Sequence, residues 1–418
     1  MTVRTRFTSQ AETTWAHWGL VVSVLAVGLL VAIAPPNRLE ERTDTVLHRA
    51  QTPLAIQSVL DSMRARHGFP GATAAYVWAD GTSGAAATGL ADVEAGIPMR
   101  PATRMLAASI GKMFVAATAV ALAQENVLDL DAPIGRWLGD RPWFEGLPNH
   151  DQITLRHLLA HRSGLPDHVH LDAFAAAVSQ RWQEAGNPFP PDVLVQFVAD
   201  QPPLFDAGNA WAYSDTGYIL AGLIIEEATG RDYYTTVRER FLTPLGLERT
   251  GPSNRRNLSG LAAGYAAETP FGWPEKTTTA DGVLVWHPGI EWTGGGLVST
   301  SEDLARWGAA LFGGTAISDA ALDQMLTASP VAPGESDLRY GMGVAVMPDG
   351  PFGRVYGHGG WIPGYASSLR YYADPGVAIA FQINTDIGLS DGERSVVQAL
   401  EARLAEVVIA PGRRRPSE

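Results

Sequence analysis

The segment Ala108-Ser109-Ile110-Gly111-Lys112-Met113 places a hydroxyl and an amine three residues apart, ahead of an almost wholly apolar run from Met113 to Ala123. Three residues is close to one helical turn, so a helix here puts Ser109 and Lys112 on one face. A lysine opening a helix buried on every side carries a desolvation cost, and burial pushes its pKa down toward the range of a base near neutral pH. Backbone N–H groups at the helix N-terminus favour developing negative charge. A serine, a base in reach and an oxyanion site are what acyl transfer through a covalent serine intermediate requires. The plain structural reading is that Ser109 caps the helix and Lys112 extends to solvent. Ser-x-x-Lys recurs by chance, so other segments must support the chemistry.

Two segments do. Trp211-Ala212-Tyr213-Ser214-Asp215-Thr216-Gly217-Tyr218 precedes an apolar stretch, Ile219–Ala228, that ends at Thr229-Gly230. Ser214 or Asp215 would cap that helix, leaving Tyr213 at the lip of a cleft. Tyr356-Gly357-His358-Gly359-Gly360-Trp361 reads as a strand whose glycines let a ligand approach the backbone.

The elements that must carry these residues follow from periodicity. Ile56, Val59, Leu60 and Met63 recur at helical spacing within 53–67. Strands are expected at 72–78 and about 85–90, joined through the turn dipeptide Asp80-Gly81. Strands near 354–358, 367–372 and 377–384 precede a helix with Val396, Val397, Leu400, Leu404, Val407 and Val408. Residues from about 105 to 335 carry mostly helical pattern broken by Gly/Pro loops. The termini are therefore expected to share one antiparallel sheet with flanking helices, beside a mostly helical lobe: an α+β fold with a cleft between lobes.

The 418 residues are 46% hydrophobic and 18% charged, enough for a large core. Net charge is 31 − 44 = −13 with no basic stripe, which argues against nucleic acid as a partner. Cysteine is absent, excluding disulfides, thiolate nucleophiles and Cys-ligated zinc. Residues 18–34 form an unbroken apolar run after Arg4 and Arg6, slightly shorter than the roughly 20 residues of a membrane-spanning helix. Ala32-Ile33-Ala34 resembles a cleavage site, but Pro35 follows it, which favours an uncleaved anchor over a removed signal. With the positive end inside, the expected organisation is a cytoplasmic N-terminus at 1–17 and a membrane anchor or signal at 18–34. A polar linker at 35–52, a catalytic domain at 53–410 outside the cytoplasm and a tail at 411–418 follow.

With Ser109-x-x-Lys112, Tyr213 and His358 in this order, the chain resembles the penicillin-recognising serine hydrolases. These are class C β-lactamases, D-alanyl-D-alanine carboxypeptidases of the same fold, and related esterases and D-aminopeptidases. The resemblance covers roughly residues 53–405. It includes Leu128-Asp129-Leu130-Asp131-Ala132-Pro133, the stretch Ile153-Thr154-Leu155-Arg156-His157-Leu158-Leu159-Ala160-His161-Arg162-Ser163-Gly164-Leu165, and Gly294-Gly295-Gly296-Leu297-Val298-Ser299-Thr300. It implies a β-lactamase/DD-peptidase-like fold, Ser109 as the acylated nucleophile and Lys112 as its proton partner. Tyr213, matching the tyrosine of Tyr-x-Asn, would relay a proton to or from the leaving group. His358, matching the Lys or His of Lys/His-x-Gly, would support that network and face the substrate. The backbone N–H groups of Ser109 and Trp361 would form the oxyanion hole. No cofactor or metal is implied, and the partner is a small-molecule or peptide substrate with an acyl carbonyl.

Two positions depart from that pattern. Asp215 stands where the family has asparagine, and an ionised aspartate accepts but does not donate. In the cleft it would hold Lys112 as an ammonium, repel a carboxylate and welcome an amine; otherwise it caps the following helix. Ser214-Asp215-Thr216 also approaches the Ser-Asp-Asn of class A β-lactamases, but the neighbouring motifs favour the tyrosine register. Gly359, before Gly360, replaces a threonine that contacts a substrate carboxylate in the family. Both changes tilt from β-lactamase toward an esterase, amidase or peptidase; a silent cell-wall peptide or β-lactam sensor is the other alternative.

Rival motifs fail on spacing. His168-Val169-His170-Leu171-Asp172 opens a dinuclear metallohydrolase motif, but Ala173 stands where its next histidine belongs. His157 and His161 have zincin spacing, yet Leu158 occupies the position of the base, and structural hydrogen bonds are expected of them. Gly-x-Ser-x-Gly, P-loop and Rossmann fingerprints are absent, and Arg413-Arg414-Arg415 is a solvated cluster.

Overall fold

The computed structural model describes residues 36–183, 188–267, 271–332, 334, 337–389 and 395–410. Residues 18–34 and the tail at 411–418 lie outside these, and so do the readings made of them. Thr52–Ala410 forms one compact unit.

The two ends of that unit meet in one antiparallel sheet. Strand β1 (Gly71–Val77) pairs on one side with β2 (Ser83–Asp92) and on the other with β6 (Val377–Ile383), Ala75 lying opposite Ala85 and Ala380. The sheet continues from β6 through β5 (Tyr365–Tyr372) and β4 (Gly353–Ile362) to β3 (Ala345–Gly350). Three two-residue strands extend its edges, giving nine strands among the described residues. Both faces of β1 are covered, which is why its sequence is a continuous small-and-apolar run rather than an alternating one. Its Ala74 and Tyr76 turn to one core, Ala75 and Val77 to the other.

One core lies under the terminal helices. Helix α1 (Pro36–His67) contributes Ile56, Leu60 and Met63, and the C-terminal helix (Val396–Ile409) contributes Leu400 and Leu404. Residues 36–52, read as a polar linker, are helical and run on through Pro53 into the rest of α1. The helical spacing of Ile56, Val59, Leu60 and Met63 marks only the part after Pro53, yet the Arg, Glu and Leu residues before it are themselves strong helix formers. Charge alone does not separate a solvated helix from a linker.

The other core belongs to the helical lobe. Its centre is α2 (Gly111–Gln124), in which Gly111 to Val120 are all buried. Around it stand α3 (Leu155–Leu159), α4 (Asp215–Thr229) and α5 (Ser301–Phe312), with Trp307 of α5 stacked on Phe114 at 3.9 Å between centroids. A small sheet of Met105–Leu106, Leu297–Ser299 and Gly251–Pro252 ties the start of α2 to the Gly294-Gly295-Gly296 segment. The expected α+β plan is the observed one. Among the described residues, no helix is long and apolar enough to cross a membrane.

Candidate active site

Ser109 occupies a short 3-10 turn, Ala108–Ile110, that runs into α2. Ala108 just before it takes φ +48°, a left-handed conformation that costs an alanine roughly 1 kcal/mol and persists only where the surroundings enforce it. They do so from two sides. A Cβ on Gly295 would lie 2.7 Å from the Ala108 carbonyl carbon, and one on Gly360 would collide with the Ala107 carbonyl and the Ser367 hydroxyl. Glycine at both positions lets two backbones close on the serine turn.

Ser109 is not a helix cap: Ile110 occupies the cap position and no side chain bonds there. Nor does Lys112 reach solvent, its side chain being 0% exposed. The ammonium donates to Ser109 Oγ at 3.0 Å and is in direct contact with the Asp215 carboxylate and the Gly294 carbonyl. It also lies 4.9 Å from the Tyr213 ring centroid. Of the two sequence expectations for Lys112, a pKa lowered by burial and an ammonium held by Asp215, the site has the second. Burial does act to lower its pKa, but Asp215 and then Tyr213 outweigh it and hold the group above the ordinary lysine value. Asp215 thus opens α4 with its carboxylate on Lys112, and at 23% side-chain exposure it is still reachable from the cleft.

Tyr213 lies in the strap before α4, its hydroxyl in hydrogen-bonding reach of both Lys112 and Ser109. Burial pushes it up to about 12, with the nearby ammonium opposing, so it rests as a phenol and a proton donor. His358, on β4, lies in the same cleft wall, its ring 6.2 Å from that of Tyr213. Burial, with repulsion from Lys112, lowers it to about 3, so the ring is neutral. Its Nδ1–H donates to the Gly359 carbonyl, and its Nε2 accepts from Tyr340 Oη at 2.8 Å. Both ring nitrogens are therefore engaged by the protein, and His358 contacts the cleft through its ring edge.

The pairing of β4 with β3 ends at Gly357↔Ala345. Beyond it the stretch Gly359-Gly360-Trp361 pairs with no strand on that side among the described residues, and the Ser109 turn packs on β4. Trp361 lines the same cleft, and its indole is 48% exposed.

The cleft encloses about 900 Å³. Besides Ser109, Tyr213, Asp215, His358, Gly359, Gly360 and Trp361, it is lined by four acids that sequence reasoning missed, Asp167, Glu291, Asp386 and Glu401, the last paired with Arg370 at 3.0 Å. Asp167 is raised to about 7, by burial first and by Asp215 second, although the Asp215 and Val169 amides donate to it. Glu291 is raised to about 8 by burial and then Asp215, and its Oε2 has no hydrogen-bond partner among the described residues. Phe174, Phe271, Trp273 and Trp286 form an aromatic wall, the two indoles stacked at 4.8 Å. The only local signal for Glu291 was a carboxylate just before Trp292-Thr293 and the Gly triplet. Of the rival histidines, His168 is buried with Nδ1 on Thr216 Oγ1 at 3.0 Å, and His157 closes a capping box with Thr154 on α3. No group of three His, Cys, Asp or Glu among the described residues is placed to hold a metal ion.

A serine held by a buried lysine and a tyrosine, between a helical lobe and an antiparallel sheet, defines a serine hydrolase of the Ser-x-x-Lys type. The Beta-lactamase family model matches residues 56–403, and the chain belongs to that family. It is 27% identical over 327 residues to Penicillin-binding protein 4* of Bacillus subtilis, covering 75% of this chain and 67% of that one. To Esterase EstB of Burkholderia gladioli it is 30% identical over 242 residues, covering 53% and 60%. The chain thus spans 60–67% of the length of these curated relatives. The crystal structure of a D-stereospecific amidohydrolase from Streptomyces sp. matches with a TM-score of 0.71 at 28% identity, over 83% of this chain and 98% of that one.

Proposed function

We propose that the protein hydrolyses amides and esters whose acyl part carries an ammonium group and an aromatic side chain, through an acyl-Ser109 intermediate. The observation that carries this reading is the group of acids lining the cleft, Asp167, Asp215 and Glu291, with Asp386 and with Glu401 paired to Arg370. Lys112 pairs with Asp215, while Asp167 and Glu291, raised by burial to about 7 and about 8, can give up their protons to meet an ammonium but offer no positive charge to a carboxylate, so the cleft favours a cation. Gly359 supplies no hydroxyl for a carboxylate, and the wall of Phe174, Phe271, Trp273 and Trp286 suits an aromatic group. The likeness to a D-stereospecific amidohydrolase supports the amide class.

In the reaction, the substrate carbonyl oxygen rests against the N–H groups of Ser109 and Trp361. Lys112 passes one ammonium proton to Asp215, and the resulting amine takes the Ser109 Oγ proton as Oγ bonds to the carbonyl carbon. The tetrahedral adduct collapses with cleavage of the C–N or C–O bond, and the Tyr213 hydroxyl protonates the leaving group. Lys112 restores the proton to Tyr213 and regains its own from Asp215. Water then attacks the acyl carbon, gives its proton to the same relay, and Ser109 leaves protonated.

The test compares D-phenylalanine p-nitroanilide with its N-acetyl derivative at pH 6.5. The free amine is expected to have the higher kcat/KM by about 10-fold or more. Equal values would remove the ammonium reading and leave the serine hydrolase intact. Intact-mass analysis with benzylpenicillin, with Ser109→Ala as control, separates the alternatives. A persistent adduct lost in the variant would point to a penicillin-binding, sensor-like protein. Rapid penicillin turnover would point to a β-lactamase.

We also infer from the apolar run at 18–34 that the catalytic unit works outside the cytoplasm, tethered to the membrane. Residues 1–52 fused to alkaline phosphatase, which is active only after export, should give active, membrane-bound reporter. Inactive reporter would refute export.

A further inference from the structure

We propose that His161 is the positioning residue for Tyr213, holding the strap that carries the tyrosine so that its hydroxyl meets Ser109 and Lys112. This rests on the reading of Tyr213 as the proton donor to the leaving group. Tyr213 belongs to no helix or strand, and α4 begins only at Asp215, so no regular element fixes it. The flanking residues on both sides are instead bonded to one histidine. The Ala212 N–H donates to the His161 carbonyl at 3.0 Å, and the Ser214 N–H donates to His161 Nδ1 at 3.1 Å. Between those two ties the imidazole lies against the Tyr213 ring, centroids 4.1 Å apart. The same imidazole packs on Tyr340 at 4.8 Å, and Tyr340 donates to His358.

Three features make the choice of histidine specific. The side chain is wholly buried, so it contributes nothing at the surface. The residue takes φ +56°, a left-handed conformation enriched in Asn, Asp, His and Gly and unfavourable for most side chains. Burial, with repulsion from Lys112 and His358, holds the ring neutral. The Ser214 N–H then fixes the tautomer, with Nδ1 as acceptor and the proton on Nε2. An aliphatic side chain of similar size would fill the space but leave the Ser214 amide unpaired beside the tyrosine it must steady. Among uncharged small replacements, asparagine keeps both the left-handed backbone and an acceptor near the place of Nδ1.

The test measures kcat and KM on D-phenylalanine p-nitroanilide for His161→Ala, His161→Asn, Tyr213→Phe and the double variant His161→Asn/Tyr213→Phe. A positioning loss of about 1 Å costs on the order of 100-fold, so His161→Ala is expected to lose about 100-fold in kcat with KM within about threefold. His161→Asn, which restores the acceptor but not the ring, is expected to lose only about 10-fold. In the Tyr213→Phe background, His161→Asn should cost less than about threefold more, because its effect runs through the missing hydroxyl. If His161→Ala does not fold, the Asn variant and the double variant carry the test. Full losses adding in the double variant, or a wild-type kcat in folded His161→Ala, overturn the inference while the Tyr213 reading stands. A wild-type kcat in Tyr213→Phe alone overturns that reading and this inference together.

Discussion

Lys112 is in direct contact with Asp215, and this one ion pair sets both the charge of the proton carrier and the charge that the cleft presents. The lysine is wholly buried while the aspartate keeps 23% of its side chain exposed, so the pair is dry on one side and reachable on the other. Asparagine in its place would keep the shape and a hydrogen bond and remove the charge.

Asp215→Asn therefore tests the pair. Without the carboxylate, burial is the largest remaining influence on Lys112 and lowers its pKa. The ammonium then has no carboxylate to take its proton, so the variant works only where the lysine is already neutral, and the acidic limb of the kcat profile should move to higher pH. In the same variant, kcat/KM for an ammonium-bearing anilide should fall about 10-fold, and acylation by benzylpenicillin should rise. An unmoved acidic limb would show that Asp215 does not govern the lysine.

Adjacent glycines on β4 have opposite steric duties. A Cβ on Gly359 would meet nothing nearer than the Ser367 carbonyl at 3.8 Å, whereas one on Gly360 would collide with Ala107 and Ser367. The missing hydroxyl at 359 is thus a chemical difference from the family pattern and not a steric necessity. Gly359→Thr should leave the melting temperature within about 2 °C and speed acylation by benzylpenicillin about 10-fold, one hydrogen bond to a charged group. Gly360→Ala should lower kcat by about 100-fold or more, by pushing the Trp361 amide away from Ser109. Equal, small effects at both positions would refute the close approach at 360.

The sequence made most of the scaffold legible because its signals are local. Ser109 and Lys112 announce themselves by spacing, and the strands at both ends by short apolar runs between turns. The terminal helix at 396–409 shows its face through Leu400 and Leu404. What was hidden depends on contacts far along the chain. Asp215 is 103 residues from Lys112, and the sequence left open whether it enters the cleft or only caps α4; their meeting decides the direction of the lysine's shift. Asp167 and Glu291 sit in loops with no periodicity to mark them, and their pKa values come from burial that folding creates. His161 looked like half of a spacing that fails for zinc; its part in holding Tyr213 exists only because Ala212 and Ser214 are laid against it. The helix at 36–52 was missed for another reason, since charged helix formers look like a linker when no apolar stripe is present.

The orphaned carboxyl group of Glu291 predicts a stability that depends on pH. A glutamate in the unfolded chain titrates near 4.3, whereas burial, with Asp215 adding to it, raises Glu291 in the fold to about 8. Between those values the folded protein binds a proton that the unfolded chain has released. Stability must then fall as pH climbs from about 4.5 through about 8, because ionising the buried group costs more inside than outside. Glu291→Gln keeps the shape and is neutral at every pH, so it removes that loss. Thermal melts should coincide for the two proteins at pH 5, with the variant about 2–4 °C higher at pH 8.5. A variant that melts lower at pH 8.5 than the parent would mean that the ionised Glu291 is stabilised by its surroundings, and the reading of an unpaired acid in the cleft would fall with it.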